Sequence, residues 1–145
     1  MPDTIADAAP IVAITGAAGF LGSHLVEAAT GRGLEPLLLA RTRPAGWSGF
    51  WRAWDATGGI EDMAATLTAV DIVCHAAAHV PRDMLDPDEA DSCWRVNALG
   101  SLHLARACRA AGVRRLVFVS AGNIVAPTEN ASREDDPLRA TNPHA

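Results

Sequence analysis

Ala9-Pro10-Ile11-Val12-Ala13-Ile14-Thr15-Gly16-Ala17-Ala18-Gly19-Phe20-Leu21-Gly22 is the stretch whose reading decides the fold. Ile11 to Ile14 is a short apolar run, the mark of a strand buried on both faces. Gly16, Gly19 and Gly22 follow at a spacing of three, and helical sequence then opens with Ser23-His24-Leu25-Val26-Glu27-Ala28-Ala29. Strand, glycine turn and helix are the context a phosphate-binding fingerprint requires. Gly16 permits the tight turn out of the strand. Gly19, lacking a Cβ, lets a pyrophosphate approach the backbone, and Gly22 lets the helix pack closely on the strand. The first N–H groups of the helix then face an anion, with the helix dipole favouring it. The plainer alternative is a turn followed by an ordinary helix start.

Bulk composition narrows the classes. The chain has 145 residues, 49% of them hydrophobic, which suits one globular domain with a core. We place that domain at residues 10–145, after a flexible leader at 1–9. A net charge of −5, from 12 basic and 17 acidic residues, argues against a nucleic-acid surface. No apolar run is long enough to span a membrane. Met1–Ala9 is polar and acidic, unlike a signal peptide. Cys74, Cys93 and Cys108 are odd in number and lack metal or redox spacing, so they read as reduced thiols of a cytoplasmic protein. There is no tyrosine, and all 12 basic residues are arginine.

Working outward, the first helix spans about Phe20–Thr30 and stops at Gly31-Arg32-Gly33. Pro36–Arg41 reads as a second strand and Phe50–Trp54 as a third, joined by a loop at Thr42–Gly49. Trp47, Trp51 and Trp54 cluster there, either as a ligand-stacking patch or as packing. After Gly58-Gly59, Ile60–Val70 reads as a short helix, and Asp71–Ala76 as the fourth strand. Asp86-Pro87-Asp88-Glu89 is a strong helix start. That helix is expected to run unbroken to Ala111, about 39 Å at about 1.5 Å per residue. Arg114–Ser120 is the fifth strand, and loop-like sequence follows. The expected fold is therefore α/β: a Rossmann-like, doubly wound parallel sheet of order 3-2-1-4-5, ending after strand 5. Its ligand crevice lies at the carboxyl ends of strands 1 and 4.

The end of strand 2 meets the adenosine ribose in such a fold. Ala40-Arg41-Thr42-Arg43 offers arginines and no carboxylate, which suits the 2′-phosphate of NADP, preferred here over NAD. The alternative is that Arg41 and Arg43 are solvated loop charges. Asp55 is either an acceptor for the adenine amino group or a turn residue. Ala76-Ala77-Ala78 allows a flat ring close to the backbone, or close helix packing. Cys74, His75 and His79 are set aside as metal ligands, since neighbouring residues of a strand face opposite ways. Asn97 sits mid-helix, where asparagine is unfavourable. It is either an active-site hydrogen-bonding group or a satisfied buried amide.

Together these pieces resemble the extended short-chain dehydrogenase/reductase family, the NAD(P)-dependent epimerases and dehydratases of sugars and related substrates. The resemblance rests on Thr15–Gly22, Asp55, Asp71–Ala78, Val96–Ser101 and Ala111–Ser120, and covers about residues 10–145. It implies that Gly16, Gly19, Phe20, Leu21 and Gly22 hold the pyrophosphate. It places Arg41 and Asp55, with neighbouring Ala56, around the adenosine, and Ala76, Ala77 and Ala78 near the nicotinamide ribose. Asn97 and Ser120 fall near the nicotinamide. The implied substrate is a nucleotide sugar or a related carbonyl or hydroxyl compound.

The family's reaction needs a serine or threonine after strand 5, then a tyrosine, then a lysine four residues on. Here the first position reads as Ala121, with Ser120 one place earlier. The lead-in Asp135–His144 aligns His144 with the tyrosine, and no lysine follows. Three readings stand: a dinucleotide binder without chemistry, an enzyme using Ser120 and His144, and an interaction module that kept only the fold. An uncovered fifth strand further implies self-association, through the 115–120 edge or through helix 86–111.

Overall fold

The computed structural model describes residues 9–83, 85–125 and 131–139. Strands and helices alternate as β1 (Val12–Thr15), α1 (Phe20–Thr30), β2 (Leu37–Ala40), β3 (Trp51–Ala53), α2 (Ile60–Thr66), β4 (Ile72–His75), α3 (Pro87–Cys93), a π-helical segment (Trp94–Gly100), α4 (Ser101–Ala110) and β5 (Arg115–Phe118). The strands form one sheet of order β3-β2-β1-β4-β5, with every neighbouring pair parallel. This is the order expected from the sequence.

Register explains why the strands read as unbroken apolar runs. Ala13 pairs with Leu37 and Val73. These residues and Leu39 face one side, where they bury Met63, Leu67, Leu104, Ala107 and Cys108 of the α2 and α4 side. The alternate residues Val12, Ile14 and Leu38 face the other side, closed by Leu25 and Val26 of α1 and by Trp47 and Trp51. A sheet covered on both faces needs apolar residues at both parities. The tryptophans therefore pack rather than form an exposed patch. The Trp47 indole N–H donates to the Phe50 carbonyl and that of Trp51 to the Ala40 carbonyl, while Trp54 joins the first core.

The structure departs from the sequence reading in the helices. The α2 helix ends at Thr66 rather than Val70, yet Leu67 and Val70 remain buried in the turn that follows. The helix expected over 86–111 starts as read: Asp86 Oδ1 accepts from the Asp88 N–H at 2.9 Å, with Pro87 in the first turn. It is not a uniform α-helix, however, because Trp94–Gly100 is wound as a π-helix. Two contacts account for the wider turns. Gly100 packs against the Ala56 carbonyl where any Cβ would collide, and Asn97 reaches the backbone of His79. Such π geometry within an α-helix is rare and frequently marks a functional site. Beyond β5, the expected loop contains a 3₁₀ turn at Gly122–Ile124 and an antiparallel bridge between Val125 and Leu138.

Among the described residues β5 is an edge strand. Leu116 packs on the first core, whereas Val117, Phe118 and Val119 are 44%, 55% and 39% exposed. The leader, apart from Ala9, and His144 lie outside the described residues.

Candidate functional site

A cleft of about 460 Å³ opens over the carboxyl ends of β1, β2 and β4. Eight of the residues singled out from the sequence line it: Gly16, Gly19, Arg41, Asp55, Ala56, Ala76, Ala77 and Ala78. Gly22 is buried behind that wall, and Phe20 and Leu21 are exposed on the first turn of α1. A second cleft of about 530 Å³ shares Ala76–Ala78 with the first. Asn97 and Ser120 line this second space, together with Phe118, Val119 and Ala121.

The glycine turn is built around close approach. Gly16 has φ +67°, which an L side chain adopts at a cost. A Cβ there would also stand 2.7 Å from the backbone of Ala76 and Ala77. At Gly22 a Cβ would run into the Gly16 carbonyl. The α1 helix begins at Gly19 with no side-chain cap and no acid in its first turn. By contrast α3 carries Asp86 as cap and Asp88 and Glu89 in its first turn. Of these two helices, α1 is the one whose positive end no acidic or capping side chain of its own offsets.

At the end of the cleft beside β2 and β3, the Asp55 carboxylate is held below its ordinary pKa. The Thr57 N–H and hydroxyl, both 2.8 Å from Oδ1, do most of this, against an opposing effect of burial, with the Arg41 charge assisting. Asp55 is therefore a turn residue through Oδ1, and Oδ2 takes no part in that turn. Arg41 and Arg43 separate in role: Arg41 lines the cleft, whereas Arg43 is folded back on its own loop, donating to the Trp47 and Gly49 carbonyls.

Asn97 is satisfied as a buried amide would be. Its Oδ1 accepts from the His79 N–H at 2.7 Å and its Nδ2 donates to the His79 carbonyl at 2.9 Å. The π segment thereby clamps the loop after β4, and the His79 ring meets Glu89. Sequence reasoning missed a second group beneath the same loop. Thr15 Oγ1 accepts from the Ala76 and Ala77 N–H groups at 3.2 and 3.1 Å, and lies 2.7 Å from His75 Nδ1. His75 Nε2 in turn is 3.0 Å from Ser101 Oγ. The signal for this was parity: Thr15 and His75 share a face with Ala13 and Val73 and pair in register. Burial pushes the His75 pKa down to about 4.

A parallel sheet of this order, with a glycine-built first crossover beneath the cleft at its carboxyl edge, defines a protein of the Rossmann-like class. The chain belongs to the NAD dependent epimerase/dehydratase family, whose sequence profile matches residues 12–145. It is 38% identical over 110 residues to a dTDP-4-dehydrorhamnose reductase of Mycobacterium tuberculosis, covering 74% of this chain and 31% of that protein. It is 35% identical over 146 residues to a ceramide reductase of Caulobacter vibrioides, covering 96% of this chain and 45% of that protein. Among solved structures it resembles MoeE5 in complex with UDP-glucose and NAD, with a TM-score of 0.75, 31% identity, and 92% of this chain and 44% of that one covered. The chain thus spans less than half the length of these relatives. Among the described residues no helix is long and apolar enough to cross a membrane.

Proposed function

We propose that this chain is the dinucleotide-binding part of an epimerase/dehydratase-type oxidoreductase that prefers NADP over NAD and acts on a nucleotide sugar or a related carbonyl or hydroxyl substrate. The observation that carries the reading is the uncapped start of α1 facing a cleft whose floor is Gly16 packed on Ala76. Gly16, Gly19 and Gly22, with the amides of Phe20 and Leu21, hold the pyrophosphate. Asp55 and Ala56 receive the adenine, and Arg41 the 2′-phosphate. Ala76, Ala77 and Ala78 leave room for the nicotinamide ribose between the two clefts, and Asn97 and Ser120 line the far one. When bound, the nicotinamide supplies hydride transfer. The names of similar proteins, a nucleotide-sugar reductase and a protein solved with UDP-glucose and NAD, support the substrate class. The unpaired thiols of Cys74, Cys93 and Cys108 suit a reducing cytoplasm.

The 145 residues contain no tyrosine and no lysine. We therefore read this chain as catalytically incomplete by itself, with the acid–base groups of the reaction not supplied by the family's usual pair. Ser120 and His144 are the candidates within it. Calorimetric titration with NADP and NAD tests the binding reading, and a chain that takes up neither sinks it. Incubation with NADPH and candidate sugar nucleotides, followed by the absorbance of reduced nicotinamide, separates enzyme from binding module.

A further inference from the structure

His75 is 2% exposed and Thr15 is fully buried, yet both carry polar groups that the dinucleotide cleft does not touch. Their bonding is a closed account. A threonine hydroxyl has one proton to donate and two lone pairs to accept with. The Ala76 and Ala77 N–H groups take both lone pairs of Thr15 Oγ1. Its proton therefore goes to His75 Nδ1, 2.7 Å away. Nδ1 is then an acceptor, the ring proton sits on Nε2, and Nε2–H donates to Ser101 Oγ at 3.0 Å. Two rings fix the imidazole plane: Trp54 at 6.0 Å, edge-on, and Phe118 at 5.7 Å, tilted. Trp54 lines the first cleft and Phe118 the second, so the ring stands in the partition between them.

We infer that His75 is a positioning residue for the dinucleotide site: its Nδ1 acceptor and Nε2–H donor lock the Thr15 hydroxyl so that both Ala76 and Ala77 amides are held down, fixing the wall on which Gly16 lies. This rests on the dinucleotide reading above. A rotated Thr15 hydroxyl strands one of these part-buried amides. The 76–77 backbone then lifts into the space that Gly16 occupies without a side chain. The charged imidazolium would carry a proton on Nδ1, facing the Thr15 hydroxyl. Burial keeps the ring neutral and supports the assignment.

The test has an arm that does not depend on binding. Nitrogen-15 spectra should show His75 as the neutral Nε2–H form at pH 7; an Nδ1–H form overturns the inference. Calorimetry with NADP and NAD then compares wild type with His75→Leu, His75→Asn, Thr15→Val and Thr15→Ser. His75→Leu and Thr15→Val should weaken dinucleotide binding about tenfold or more. His75→Asn, which keeps an acceptor near the Nδ1 position, and Thr15→Ser, which keeps the hydroxyl, should recover most of the affinity. A His75→Leu protein that melts earlier but binds as wild type shows a core role only and overturns the inference. Should His75→Leu fail to fold, Thr15→Val, of nearly the same shape as wild type, decides by the same criterion. A wild-type chain that binds neither dinucleotide overturns the functional reading instead, and the spectra show separately whether the tautomer stands.

Discussion

Gly16 lies so close to Ala76 that a Cβ on it would stand 2.7 Å from the Ala76 carbonyl carbon. The obstacle is backbone from the neighbouring strand's exit loop, which Thr15 and Asn97 hold in place. Gly16→Ala should therefore cost about 2–4 kcal/mol, from the left-handed φ and the collision together. Urea denaturation checks this. Calorimetry on the folded fraction should find dinucleotide uptake lost.

Acid should weaken the fold through His75. Its folded pKa of about 4 lies below the ordinary 6.5, so between those values the unfolded chain binds the extra proton. Stability from this group is complete above pH 6.5 and drains away as pH falls toward 4, by roughly 3 kcal/mol at most. Melts between pH 7.5 and 4.5 should show this slope in wild type and lose it in His75→Asn. An equal slope in both would assign the acid sensitivity elsewhere.

Arg41 is exposed at the cleft mouth, and Arg43 is engaged with its own loop. Arg41→Ala should therefore lower NADP affinity roughly ten- to hundredfold and leave NAD nearly unchanged. Arg43→Ala should loosen the 43–50 loop with little effect on that ratio. Titration of both variants with both dinucleotides checks the split. A wild type that prefers NAD would remove the role given to Arg41.

The edge of β5 presents Val117, Phe118 and Val119 to solvent. Strand edges of this kind pair with other chains. Sedimentation should find the isolated chain self-associated, and Val117→Lys should shift it toward monomer. A wild type that is monodisperse as a monomer at high concentration contradicts this.

The apolar runs at Ile11–Ile14 and Leu37–Leu39 made the sheet legible, because a doubly covered strand must be apolar at both parities. The capped start at Asp86 was equally plain, since its chemistry is local. The π winding at Trp94–Gly100 was not legible. It answers to the Ala56 carbonyl and the His79 backbone, partners that sequence spacing does not reveal. Asp55 and Asn97 each left two readings open, and in both the turn or amide satisfaction is present in the fold. The Thr15–His75–Ser101 chain was hidden for a related reason. Its members are 60 and 26 residues apart, and only strand register brings them together.

Asn97 grips residue 79 by its amide and its carbonyl, atoms that every amino acid except proline provides in full. That latch is indifferent to what side chain the loop presents. Exchanging His79 releases the Glu89 contact but leaves those two bonds in place. The rim of the cleft is thus a changeable fitting on a fixed mount, and one codon is enough to re-tool it.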